Sequence, residues 1–225
     1  MTSLGSELPR SAERRRRRLW IEFLCLFLAA PVLVAVYFPS SAMLPALFAG
    51  TILGMVLLHR TPGFHWRDLA RGWRKIDWKF VAVFAIATIA VSVGILMAAL
   101  PGRWLLLYRM NPGIWLAILV LYPFLSALPQ EIVFRSLFFR RYGPILPPAH
   151  AALLLNASVF SLAHLLFWNW IVALMTFAGG LVFAWAYEVR GSFPFAVVLH
   201  AVAGNILFTV GIGTLFYAGV IVRPF

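Results

Sequence analysis

Seven apolar runs divide this chain, at 19–38, 41–58, 80–100, 114–141, 150–167, 169–187 and 193–209. Each is close to the ~20 residues a helix needs to cross the hydrocarbon core of a bilayer. A backbone in lipid must satisfy its own N–H and C=O groups, so runs of this length fold as membrane-spanning helices. A shorter apolar tail, 211–222, follows. The chain therefore reads as all-α, a polytopic helical membrane protein with about seven to eight transmembrane helices. Pro and Gly punctuate the joints, at Pro39, Pro101–Gly102, Pro112–Gly113, Gly143–Pro144, Pro147–Pro148 and Gly191. The first run follows a basic stretch as a signal peptide would, yet it exceeds the usual apolar length and lacks a cleavage site, so it reads as an uncleaved helix. The organisation expected is a disordered basic cytoplasmic tail over 1–18 and a single transmembrane domain over 19–225.

Charge sets the orientation. Nineteen Lys and Arg stand against seven Asp and Glu in a chain that is 63% hydrophobic, a composition that excludes a soluble globular domain. The basic residues fall in clusters between apolar runs, which argues for topology determinants and against a nucleic-acid face. With the N-terminus in the cytoplasm, 17 of them lie inside, Arg14–Arg18, Arg140, Arg141 and Arg190 among them, and only Arg103 and Arg109 lie outside. The compact framework points to the bacterial inner membrane. Tryptophans such as Trp20, Trp78, Trp115 and Trp170 sit near run ends, where an aromatic belt belongs, and carry no chemistry in this reading. The lone Cys25 offers neither a disulfide nor a CxxC pair.

Two carboxylates lie inside apolar runs, Glu22 and Glu131. Glu22 is near the start of the first, within reach of headgroups and arginines, and reads as an anchor. Glu131 lies ~16 Å from the end of the fourth helix, at a depth where an ionisable residue points to function. Arg135 follows one turn later, about 40° around the helix, and can pair with it. His59, His65 and His150 lie in loops or at a run start, whereas His164 and His200 are inside runs. If the fourth and fifth helices are antiparallel, Glu131 and His164 flank the turn symmetrically about position 147.5 and can face one another. His200 enters from the same side by ~12 Å, so the three can form one layer in the inner half of the membrane. A Glu, two His and an Asn at one depth can bind a metal, relay protons or activate a water.

QEIVFR at 130–135, FSLAH at 160–164 and HAVAGN at 200–205 together resemble the CAAX protease and bacteriocin-processing family, whose pattern is Glu-Glu-xxx-Arg, Phe-xxx-His and His-xxx-Asn on separate helices. The resemblance covers about 114–209, the expected catalytic core. It implies a glutamic-type intramembrane endopeptidase acting on a membrane-associated, lipidated or hydrophobic peptide. The buried inventory, one carboxylate and two histidines on different helices with no thiolate cluster, predicts hydrolysis with no cofactor or metal. Carried over, Glu131 and His164 activate the water, His200 and Asn205 hold the oxyanion, and Arg135 fixes the carboxylate.

This chain departs from the pattern twice. Gln130 replaces the first glutamate, and a carboxamide cannot take a proton, so either Glu131 is the base or the chain has lost hydrolysis and binds a partner instead. Asn205 stands five residues after His200, about 140° around a regular helix, and shares its face only if a π turn near Gly204 intervenes. A metal-dependent hydrolase using Glu131, His164 and His200 is a further alternative, disfavoured because no histidine pair has the spacing of a zincin helix.

Overall fold

The computed structural model describes residues 10–216 and contains, among them, helices and no strands. Seven long helices follow the seven apolar runs. We label them α1 (Arg10–Leu24, continuing through a π turn at Cys25–Ala29 into Ala30–Tyr37), α2 (Met43–His59), α3 (Trp78–Ala99), α4 (Pro112–Ile145), α5 (Ala149–Ala163), α6 (Trp170–Glu188) and α7 (Phe193–Val210). Six are long and apolar enough to cross a membrane, and α2, at 17 residues, is the shorter one.

Two expectations about the termini change. Helix α1 begins at Arg10, so 10–18 is helical and not a disordered tail; it carries no helix breaker, and Arg18 pairs one turn along with Glu22 at 2.8 Å. The apolar tail continues only as a short 3-10 turn, Ile212–Phe216, and the rest of 211–222, like Arg223 and residues 1–9, lies outside the described residues.

Glu22 does act as an anchor. Its second oxygen meets Arg141 at 2.7 Å, and Arg141 also donates to the Leu57 carbonyl, so one carboxylate ties α1 to the ends of α4 and α2. Beneath this clamp the rings of Phe23, Phe27, Phe138 and Tyr142 pack edge to face or tilted and close the arginine-bearing end of the bundle. The basic loop between α2 and α3 is seated at Gly72, whose φ of 94° needs glycine. The Ser192 hydroxyl donates to its carbonyl at 2.8 Å while accepting from the Phe195 N–H to cap α7.

Helix α4 positions the site, and it is not a uniform α-helix. Pro123 opens a π turn at Pro123–Ala127, and a second π turn occupies Ile132–Leu137, on either side of Leu128–Glu131. Proline removes an N–H and leaves the carbonyl four residues earlier without a helical partner. Such groups in a membrane must find partners elsewhere in the protein, and the side chains that answer them shape the centre of the bundle.

Candidate active site

Glu131 and Arg135 are both fully buried, with Arg135 Nε 3.1 Å from Glu131 Oε2. The N–H does not point along the hydrogen-bond line, so the contact is an ion pair. The other carboxylate oxygen, Oε1, lies 2.8 Å from His200 Nδ1. A carboxylate only accepts, so Nδ1 carries the hydrogen and Nε2 is the nitrogen left to the surroundings. The His200 ring is stacked on Phe183, centroids 4.8 Å apart at 11°, and meets Phe160 edge to face at 5.6 Å. The motif phenylalanine thus forms a wall shared by the charged pair and the histidines, because the Arg135 guanidinium also lies 4.8 Å from the Phe160 ring.

Arg135 is held from a second side by Asn156 on α5, whose Oδ1 accepts from it at 2.6 Å. Asn156 in turn donates to the Phe134 carbonyl. The π turn explains this contact: the Phe138 N–H bonds to Val133 and Arg135 and not to Phe134, so the Phe134 oxygen needs other donors and takes both Asn156 and Arg135. Sequence reasoning missed Asn156 and Phe183. Asn156 could have been found by the criterion that singled out Glu131, since it is a polar residue inside an apolar run.

His164 ends α5, at the first residue with non-helical geometry, and its Nδ1 is 2.8 Å from the Phe160 carbonyl. A carbonyl oxygen also only accepts, so His164 holds its hydrogen at Nδ1 and Nε2 is a lone-pair acceptor. The rings of His164 and His200 lean on the same Phe160.

Both histidines line one cavity of about 1760 Å³, with Gln130, Ser126 and Tyr122 among its few polar neighbours. Its walls are otherwise apolar, from Val34, Leu47, Val91, Leu121, Leu174 and Leu207 on six helices. The cavity includes no described residue of 54–83, 138–159 or 184–199, so its lining leaves out the arginine-bearing ends of the helices. The layer of site residues is its floor. The sequence expectation placed the converging side chains in the arginine-bearing half, and Phe23, Phe27, Phe138 and Tyr142 fill the space beyond them toward the helix ends.

Glu131 does not reach this cavity, being fully buried behind His200, whereas Gln130 does. Gln130 donates to Ser126 Oγ at 2.9 Å, one turn back along α4. Asn205 does not join the histidines. Helix α7 runs as regular α through Gly204, without the π turn that would realign it, and Asn205 Nδ2 donates to the Leu119 carbonyl at 3.1 Å. Leu119 is four residues before Pro123, so Asn205 satisfies the oxygen that the proline leaves without a helical N–H.

The described residues hold no group of three or more His, Cys, Asp or Glu that could bind a metal. Neither a curated relative nor a solved structure matches the chain. Residues 111–206, the stretch that carries all three motifs and the buried ion pair, match the family model described as Type II CAAX prenyl endopeptidase Rce1-like, and over that part the chain is similar to the CAAX proteases.

Proposed function

We propose that this protein is an intramembrane endopeptidase that hydrolyses a peptide bond in a hydrophobic or lipidated, membrane-associated peptide. One observation carries the reading. Two histidines from different helices have Nδ1 occupied by a fixed acceptor and share the floor of one large apolar cavity. That arrangement suits a water placed between two ring nitrogens, next to a chamber able to hold an apolar substrate.

In this mechanism His164, whose Nδ1 faces a neutral carbonyl, accepts the proton of the water at Nε2 as the oxygen attacks the scissile carbonyl carbon. The carbonyl oxygen gains the negative charge and lies toward His200. In the reactive form His200 carries a hydrogen at Nε2 as well and donates it to that oxygen; Glu131, bonded to Nδ1, orients the ring and balances its charge, so its part is positioning and not direct proton abstraction from water. Arg135 and Asn156 hold the carboxylate in place. Gln130 orients the water through its amide. Collapse of the tetrahedral adduct breaks the C–N bond, and the proton taken from water passes to the leaving amine.

With the arginine-bearing ends at the cytoplasmic face, as the positive-inside rule favours, the chamber floor lies in the inner half of the bilayer and its walls reach into the outer half. The test is cleavage of lipidated and unlipidated apolar peptides by the full chain in lipid vesicles. Parent activity with His164→Ala and His200→Ala each inactive but folded supports the proposal; comparable turnover by either variant refutes it. A second reading, a noncatalytic member of the fold that binds a membrane partner, is favoured by Gln130 standing on the cavity where a carboxylate would be expected. Saturable binding of these peptides without cleavage by the parent would select it.

A further inference from the structure

The peptidase reading leaves one chemical need unmet. The oxyanion formed over His200 needs more than one donor to be stabilised well, and Asn205 is committed to Leu119. The position that shares His200's face one turn further along α7 is 204, about 40° around the helix, and it is a glycine. That space is not empty. A Cβ built on Gly204 would run into Tyr122, and the three atoms it would meet first are Cε1, Cζ and the hydroxyl oxygen of that ring. The phenol of α4 therefore occupies the place that a side chain at 204 would fill, with its polar end against α7.

Three further observations give this hydroxyl a direction of action. The Tyr122 ring meets the His200 ring edge to face, with centroids 6.1 Å apart. Tyr122 lines the same cavity as His164, His200 and Gln130. Ser126, one turn along α4 from Tyr122, lines it too. The phenol hydrogen is available to an acceptor in the cavity.

We propose that Tyr122 is a catalytic residue that donates its O–H to the oxygen of the scissile carbonyl, opposite His200, in the space that Gly204 leaves open. This rests on the peptidase reading. No covalent bond forms to the tyrosine; the hydrogen bond strengthens as charge develops and relaxes on collapse.

The decisive variant is Tyr122→Phe, which keeps the ring over Gly204 and removes only the donor. In the full chain in vesicles, kcat should fall by about 10²–10³-fold, the usual effect of losing one oxyanion donor, with KM within about twofold and an unchanged melting temperature. Gly204→Ala, which displaces the ring, should give a comparable loss of kcat. A Tyr122→Phe enzyme with kcat within about threefold of the parent overturns the proposal. Binding keeps the test independent of turnover. A non-hydrolysable peptide phosphinate, which mimics the charged tetrahedral adduct, should bind Tyr122→Phe at least tenfold more weakly than the parent, while the corresponding ketone peptide binds both equally. Equal phosphinate affinity, or no phosphinate binding by the parent, overturns the Tyr122 assignment. Discrimination between the two probes in a parent that cleaves nothing supports the donor and refutes the peptidase reading.

Discussion

Arg135→Met and Glu131→Gln should each destabilise the protein severely, and together they should not. Both partners of the pair are fully buried, 3.1 Å apart, in surroundings made of Phe160, Phe183 and helix backbone. Removing either one leaves an uncompensated buried charge, which costs about 3–5 kcal/mol. Methionine has an unbranched chain that fills much of the space of the arginine stem, so little of the loss comes from a cavity. It also deprives Asn156 Oδ1 of its donor at 2.6 Å, an orphaned buried acceptor worth a further ~1–3 kcal/mol. Glutamine at 131 keeps an oxygen for His200 Nδ1 but leaves Arg135 without a counter-charge. In the double variant no charge remains, and only the Asn156 penalty persists, so it should be more stable than Arg135→Met alone by about 2 kcal/mol or more. Equilibrium unfolding in mixed micelles of the four proteins closes the cycle. Single variants that each lose less than ~1 kcal/mol, or a double variant equal to the sum of the singles, would refute the idea that this pair is a buried charge compensation.

Asn205→Ala should cost ~1–3 kcal/mol by orphaning the Leu119 carbonyl while kcat stays within about twofold. Pro123→Ala, which restores a helical N–H for that oxygen, should offset part of the loss; a tenfold fall in kcat at full stability would instead return Asn205 to the site. Gln130→Glu places a carboxylate on the cavity floor beside Ser126 and should be tolerated with turnover equal to or above the parent. Inactivation of a folded Gln130→Glu protein would contradict the water-orienting role. Exhaustive chelation should leave cleavage unchanged, and a stoichiometric metal whose return restores lost activity would overturn a mechanism based on histidine nitrogens alone.

The helices were legible because their signal is local. Twenty apolar residues in a row specify a span whatever the neighbours are, and all seven runs became helices at their expected places. The disordered tail was misread for the complementary reason: a run of arginines looks solvated by composition, but it continues an apolar helix and pairs with it through Glu22. The depth argument about position 147.5 paired Glu131 with His164; in the structure Glu131 bonds to His200, and His164 and His200 both abut Phe160.

By itself the sequence determined which residues are too costly to bury without a purpose. Glu131, Arg135, His164 and His200 stand out because a charged or titratable group in hydrocarbon must be compensated, and that requirement attaches to the residue type and its depth alone. Only the tertiary structure decided how each is compensated. It set Glu131 behind His200 and away from the cavity, gave Arg135 to Asn156, turned Asn205 to the carbonyl that Pro123 orphans, and laid Tyr122 over Gly204. These outcomes depend on where a π turn and Pro123 leave oxygens without helical donors, and on which side chain from another helix lies within about 3 Å to answer them. Partner choice of that kind is a property of packed surfaces that no spacing along one helix records.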